Sequence, residues 1–186
     1  MFAYYAFPVF HIVIAAYKMM SEHQQREKHM EFGLAICSHA LANGESGEML
    51  FTAISQINRG GPELISDAHQ KSIIAALNLK VGRRCTESDF ASALGFFKIG
   101  ISFLNAGHWD HQYKLVIDLF DAAADAACEL NDSVAVEYFS ESLLKNAKYI
   151  EDKFNVMYII LKSLRKAMAL HESKKYALHV LELLGE

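Results

Sequence analysis

"SALGFFKIGISFLNAGHWDHQYKLVIDLFDAAADAA", residues 92–127, carries the pattern on which the fold depends: two apolar helical stretches joined by a turn at "NAGHW". The second stretch, Gln112 to Glu129, sets Lys114, Asp118, Asp121, Asp125 and Glu129 at helical steps. Its polar residues therefore form one narrow stripe, and the rest of its circumference is apolar. A helix with a single wetted edge has to be wedged between others. Ala122, Ala123, Ala124, Ala126 and Ala127 let neighbours approach closely, toward the lower end of the roughly 8–10 Å range of interaxial distances.

Working outward, Ala93, Ala135 and Ala177 lie 42 residues apart, each followed four residues later by a large apolar side chain, Phe97, Phe139 and Leu181. A second turn, "NAKYIED" (146–152), separates a further helix pair. Helix, turn and helix repeated in this way is the unit that stacks into a solenoid. Upstream, Ser21 and Gln24 make a capping box for a helix to about Ala42, ended by "ANGESG" (42–47). A shorter helix, about Glu48 to Asn58, stops at Gly60-Gly61. Gly60 is expected to take the left-handed conformation there, and Pro62 cannot continue the helix. Ser66 is expected to cap a helix over about Asp67 to Arg84, and Thr86, with Asp89 three residues on, to cap the next. No stretch alternates as a strand does.

The chain has 186 residues, 52% of them apolar, enough for a sizeable core. Its 18 basic and 22 acidic residues give a net charge of −4, with no lysine or arginine run to track a phosphate backbone, so no nucleic-acid partner is expected. Cys37, Cys85 and Cys128 are odd in number, form no C-x-x-C pair and sit in apolar helical patterns, which predicts reduced, buried thiols in a cytoplasmic protein. "MFAYYAFPVFHIVIAAY" (1–17) lacks the positive start of a signal peptide. It falls short of the roughly 20 apolar residues of a membrane span and carries Pro8 and His11, so it reads as a buried helix rather than a membrane segment.

Chemistry is sparse. The glycines of "ISQINRGGPELIS" (54–66) lack the lysine of a phosphate loop, so they read as punctuation between helices and predict no nucleotide binding. Asp118, Asp121 and Asp125 share a face, but without the histidine at i+3 of a di-iron bundle they read as the solvated edge. His108, Asp110 and His111 cluster after Gly107. A zinc site wants a third or fourth ligand that the sequence does not identify, and Trp109 is expected to plug a gap at the turn. His23 and His29 lie outside any H-E-x-x-H, and no G-x-S-x-G elbow occurs.

In order along the chain, "REKHMEFGLAI", "LFTAISQINRGGPELIS", "IAALNLKVGRRC" and then the stretch quoted first resemble one helical region. It is the region that follows the predicted AAA-type ATPase module in very large signalling proteins, the signal-transduction ATPases with numerous domains. The resemblance spans about residues 26–186. Its most specific pieces are Phe51 to Ile65, Leu77-Asn78-Leu79 with Gly82, and Trp109 with Tyr113. The first 20 residues depart from it: Ala15-Ala16-Tyr17 is present, but Val9-Phe10 stands where the family's His-Asp dipeptide would fall. The resemblance implies a tetratricopeptide-like linker between an ATPase module and outputs such as histidine kinases, with protein partners and no catalytic, cofactor or metal residue of its own.

The combined expectation is an all-α chain of about nine helices, in antiparallel pairs stacked as a tetratricopeptide-like right-handed repeat. An apolar N-terminal helix (1–20), a helical linker (21–86) and helix-pair repeats (87–186) would make it up. The last repeat reads as incomplete, because Tyr176, Leu178, Val180, Leu181, Leu183 and Leu184 are too apolar for a helix with one side free, which predicts self-association through the terminal helices. The alternative is a metal-binding bundle or small helical enzyme using His108, Asp110 and His111 with one of the carboxylates.

Overall fold

The computed structural model describes residues 14–44, 47–105 and 107–185, and among them there are helices and turns but no strand. Residues 1–13, where most of the expected N-terminal helix falls, lie outside the described residues. Residues 14–19 are helical and largely exposed. No described helix is long and apolar enough to cross a membrane. The chain divides into two compact units, Met1–Ser66 and Asp67–Glu186.

In the first unit, α1 (Glu22–Ala42) packs on α2 (Glu48–Gly60) as a hairpin. The capping box forms as expected: the Ser21 hydroxyl accepts from the Gln24 amide while the Gln24 side chain accepts from the Ser21 amide. Met30, Cys37 and Ala40 of α1 and Leu50, Ala53, Ile54 and Ile57 of α2 are buried. Gly33 brings the backbones together, since a Cβ there would stand 2.7 Å from the Ile57 nitrogen. At the end of α2, Gly61 rather than Gly60 leaves the helical region, with φ 88° and ψ 161°, a conformation nearly confined to glycine. Gly60 stays in the last turn because its carbonyl is held from α1: Arg26 Nε donates to it at 2.9 Å, and the same guanidinium pairs with Glu63 in the 3-10 turn Pro62–Leu64.

The second unit runs α3 (Ala68–Cys85), α4 (Phe90–Ser102), the single turn α5 (His108–His111), α6 (Tyr113–Glu129), α7 (Ser133–Asn146), α8 (Phe154–Lys166) and α9 (Leu170–Leu184). Each long helix packs on the next, and α6 also meets α3 and α8. Aspartates cap α3, α4 and α7. Asp67, not Ser66, accepts from the His69 and Gln70 amides, and Asp89, not Thr86, accepts from those of Ala91 and Ser92. A carboxylate also favours the positive end of the helix dipole. Thr86 instead finishes α3, its hydroxyl donating to the Arg83 carbonyl. Ala123, Ala124, Ala126 and Ala127 are buried as the wedged-helix reading requires.

The 42-residue spacing is not the structural period. The helices begin at Phe90, Ser133 and Leu170, 43 and then 37 residues apart. Ala93 is thus the fourth residue of its helix, Ala135 the third and Ala177 the eighth, because α6 is longer than α8 and the link before it is longer too. What recurs is the turn before α7 and before α9. Asn131 and Met168 have φ 57° and 58°, and the next amides, Asp132 and Ala169, donate to carbonyls five residues back, Ala127 and Leu164. Both are Schellman closures.

Candidate functional site

The carboxylate stripe of α6 is not the solvent edge expected of it. It is a polar seam that joins α6 to α8. Asp121 Oδ2 accepts from Asn155 Nδ2 at 2.9 Å, Asp125 pairs with Lys162 at 3.1 Å, and Glu129 pairs with Lys162 and, at 2.7 Å, with Lys166. Lys166 also donates to the Cys128 carbonyl. At the other end, Asp118 meets Lys114 and, from α3, Arg83. Hydrogen bonds from Lys162 and then Lys166 hold Glu129 below the ordinary carboxylate range, and the bond with Glu129 pushes Lys162 up. Asp121 goes the other way. Burial raises its carboxyl against the Asn155 bond, with Asp118 and Asp125 adding repulsion, and its Oδ1 is buried without a partner. Sequence periodicity located the stripe, but its partners lie more than thirty residues away. The i, i+4 pair Lys162 and Lys166 was the one trace of them.

His108, Asp110 and His111 serve the turn. His108 Nδ1 donates to the Asn105 carbonyl at 2.7 Å, Asp110 pairs with Lys148 at 3.0 Å, and the His111 ring lies over Gly107. Trp109 is half-buried and packs tilted against Phe120 at 5.1 Å, which in turn meets Phe139 edge-on, so it does bridge the turn to the core. Tyr113 ties this turn to the next one: its hydroxyl donates to Asp152 and accepts from the Lys148 amide, both at 2.7 Å. Among the described residues no group of three His, Cys, Asp or Glu is placed to hold a metal. His29 sits in the first unit between Gln56 and Tyr17, and His23 beside Glu27. All three cysteines are free; Cys37 and Cys128 are buried and Cys85 is half-buried.

Apolar surface marks out a different region. From Ala68 to Glu129 the one large hydrophobic side chain that is well exposed, among the described residues, is Ile73. From α7 onward they accumulate: Val134 and Tyr138 on α7, Tyr149 and Ile150 in the turn, Phe154 and Tyr158 on α8, then Leu170, Leu178, Leu181 and Leu183 on α9. Of α9's side chains only Ser173 is buried, with Tyr176, Ala177 and Val180 half-covered, while that of Leu184 is not among those described. Where exposed apolar side chains join into one patch, they mark an interaction surface. Set against family models, curated proteins and solved structures, the chain matches none.

Proposed function

We propose that the chain is a non-catalytic helical scaffold that binds protein through the surface of α7, α8 and α9. The observation that carries this reading is the concentration of exposed apolar side chains after Glu129, among them Val134 at 75%, Leu170 at 64% and Tyr158 at 60% exposure. In this reading α4 with α6 and α7 with α8 are antiparallel pairs of a tetratricopeptide-like right-handed stack, α9 opens a third pair, and the matching closures at Asn131 and Met168 support the equivalence. The partner is a second copy or a signalling module of the kinase or ATPase type that the resemblance implies, in the cytoplasm. Light scattering across a concentration series, repeated with Leu178→Ser and Leu181→Ser together, tests it. Association that those substitutions abolish supports the reading. A monomer at high concentration that captures neither a kinase nor an ATPase module refutes it.

A further inference from the structure

We infer that the open groove between α1 and α2 is a docking site for the chain's own residues 1–13, which close it to outside partners, an inference independent of the surface on α7, α8 and α9. The residues just after that segment fix where it enters. Residues 14–19 fold back on α1: the Tyr17 hydroxyl lies 2.8 Å from His29 Nε2, His29 Nδ1 lies 2.6 Å from Gln56 Oε1 on α2, and the Gln25 side chain donates to the carbonyls of Tyr17 and Met20. Tyr17 therefore stands over the line where the two helices meet. From there two stripes run side by side at steps of three and four residues, His29, Phe32 and Ile36 along α1 and Gln56, Thr52 and Met49 along α2. Phe32 is 59% exposed, and the stripes lead into a groove of about 560 Å³ lined by Ala35, Ile36 and Met49. Of the groove's lining only His39 and Glu48 can carry charge, and both are exposed. Ile36 and Met49 lie two helical turns from the His29–Gln56 pair, about 10 Å along the axes, whereas thirteen residues reach about 20 Å even when coiled as a helix. Residues 1–13 contain no Asp, Glu, Lys or Arg, so an apolar groove strips no charge of its water when they enter. Tethered at Tyr17, they meet the groove at an effective concentration of roughly millimolar order, which favours them over a second copy.

Photo-crosslinking in the full chain tests this, with p-benzoylphenylalanine placed at Phe7 or at Phe10 and the products mapped by peptide mass spectrometry. The expected result is crosslinks within one molecule to residues 32–39 of α1 and to Met49, whose carbons beside sulfur the photolabel favours. Ile36→Glu with Met49→Glu, both at half-exposed positions outside the buried hairpin core, should abolish those crosslinks while the helical circular dichroism stays as in the parent. Ile36→Val with Met49→Leu, which keeps the groove apolar, should retain the crosslinks to α1. Crosslinks that survive the two glutamates overturn the assignment, as does the absence of any protein crosslink. Crosslinks between molecules, which would put a second copy's segment in the groove, and crosslinks confined to residues 67–186 overturn it too.

Discussion

The two ends of the second unit are joined by different physics. Where α3 meets α4, fit is steric: a Cβ on Gly82 would stand 2.4 Å from Phe97 Cε1, Phe97 is 1% exposed, and Asn78 is buried with its amide donating to the Ile74 carbonyl at 3.0 Å. Where α8 meets α6 a ladder of charges runs beside buried Val156, Met157 and Ile159, and α9 beyond it leaves leucines in water. Burial of apolar area at about 25 cal/mol per Å² holds the first end together, while α9 keeps such area in reserve. A contact made by shape tolerates little substitution, whereas a surface with uncovered leucines is free to meet a partner.

Breaking each end should expose the contrast. Gly82→Val drives two methyl groups into the Phe97 ring and should cost about 3 kcal/mol, the upper part of the range for overpacked cores. Leu178→Ser, at a side chain already half in water, should change stability by no more than about 0.5 kcal/mol. Denaturant titration of both variants under dilute conditions decides the matter. Equal losses would mean that α9 is as firmly packed as α4.

The first unit also relies on shape, and at Gly61 on backbone conformation. Gly61→Ala puts a Cβ at φ 88° and against the Arg26 guanidinium, so a loss of about 1–2 kcal/mol is expected. An unchanged melt would show that the bend adapts.

These positions also divide what the sequence discloses from what it does not. Helix identity was legible because the apolar spacing of α6 and the capping box at Ser21 are local, set within a turn or two of the chain. Caps were misplaced where two capable residues stand close together, Ser66 beside Asp67 and Thr86 near Asp89, since nothing local says which hydroxyl or carboxylate reaches the free amides. The period was misjudged because matching alanines report similar helix faces, whereas the spacing of helix starts follows the lengths of both helices and links.

A smaller effect sharpens the comparison from the turn before α9. Asn131 and Met168 occupy the same left-handed position, but asparagine tolerates it and methionine does not. Met168 is 78% exposed and so has little packing to lose. Met168→Gly should therefore stabilise the protein by about 1 kcal/mol, and Asn131→Met should cost a similar amount. A melt that moves in the opposite direction for Met168→Gly would mean that its side chain anchors the turn.

The smallest effect lies within the charged seam, where two carboxylates respond to pH with opposite sign. Burial lifts Asp121 above the ordinary carboxylate range, so the folded chain binds that proton more tightly than the unfolded chain. Raising the pH from the ordinary range through the raised folded value then costs stability. Glu129 is held low by Lys162 and Lys166, so its contribution is complete above the ordinary glutamate range and is lost as the pH falls through its lowered value. Asp121→Asn removes a charge flanked by Asp118 and Asp125 and keeps an oxygen to accept from Asn155. At neutral pH it should raise stability by less than about 1 kcal/mol, and the gain should shrink to nothing on acidification, once the parent carboxyl is itself protonated. Glu129→Gln should instead lower stability at neutral pH, with a deficit that also closes in acid. Melting curves taken from about pH 3 to about pH 8 separate the two. If Asp121→Asn destabilises at neutral pH, the carboxylate is needed by the seam in its charged form, and α6 and α8 are held by charge along their whole contact rather than in spite of one buried member.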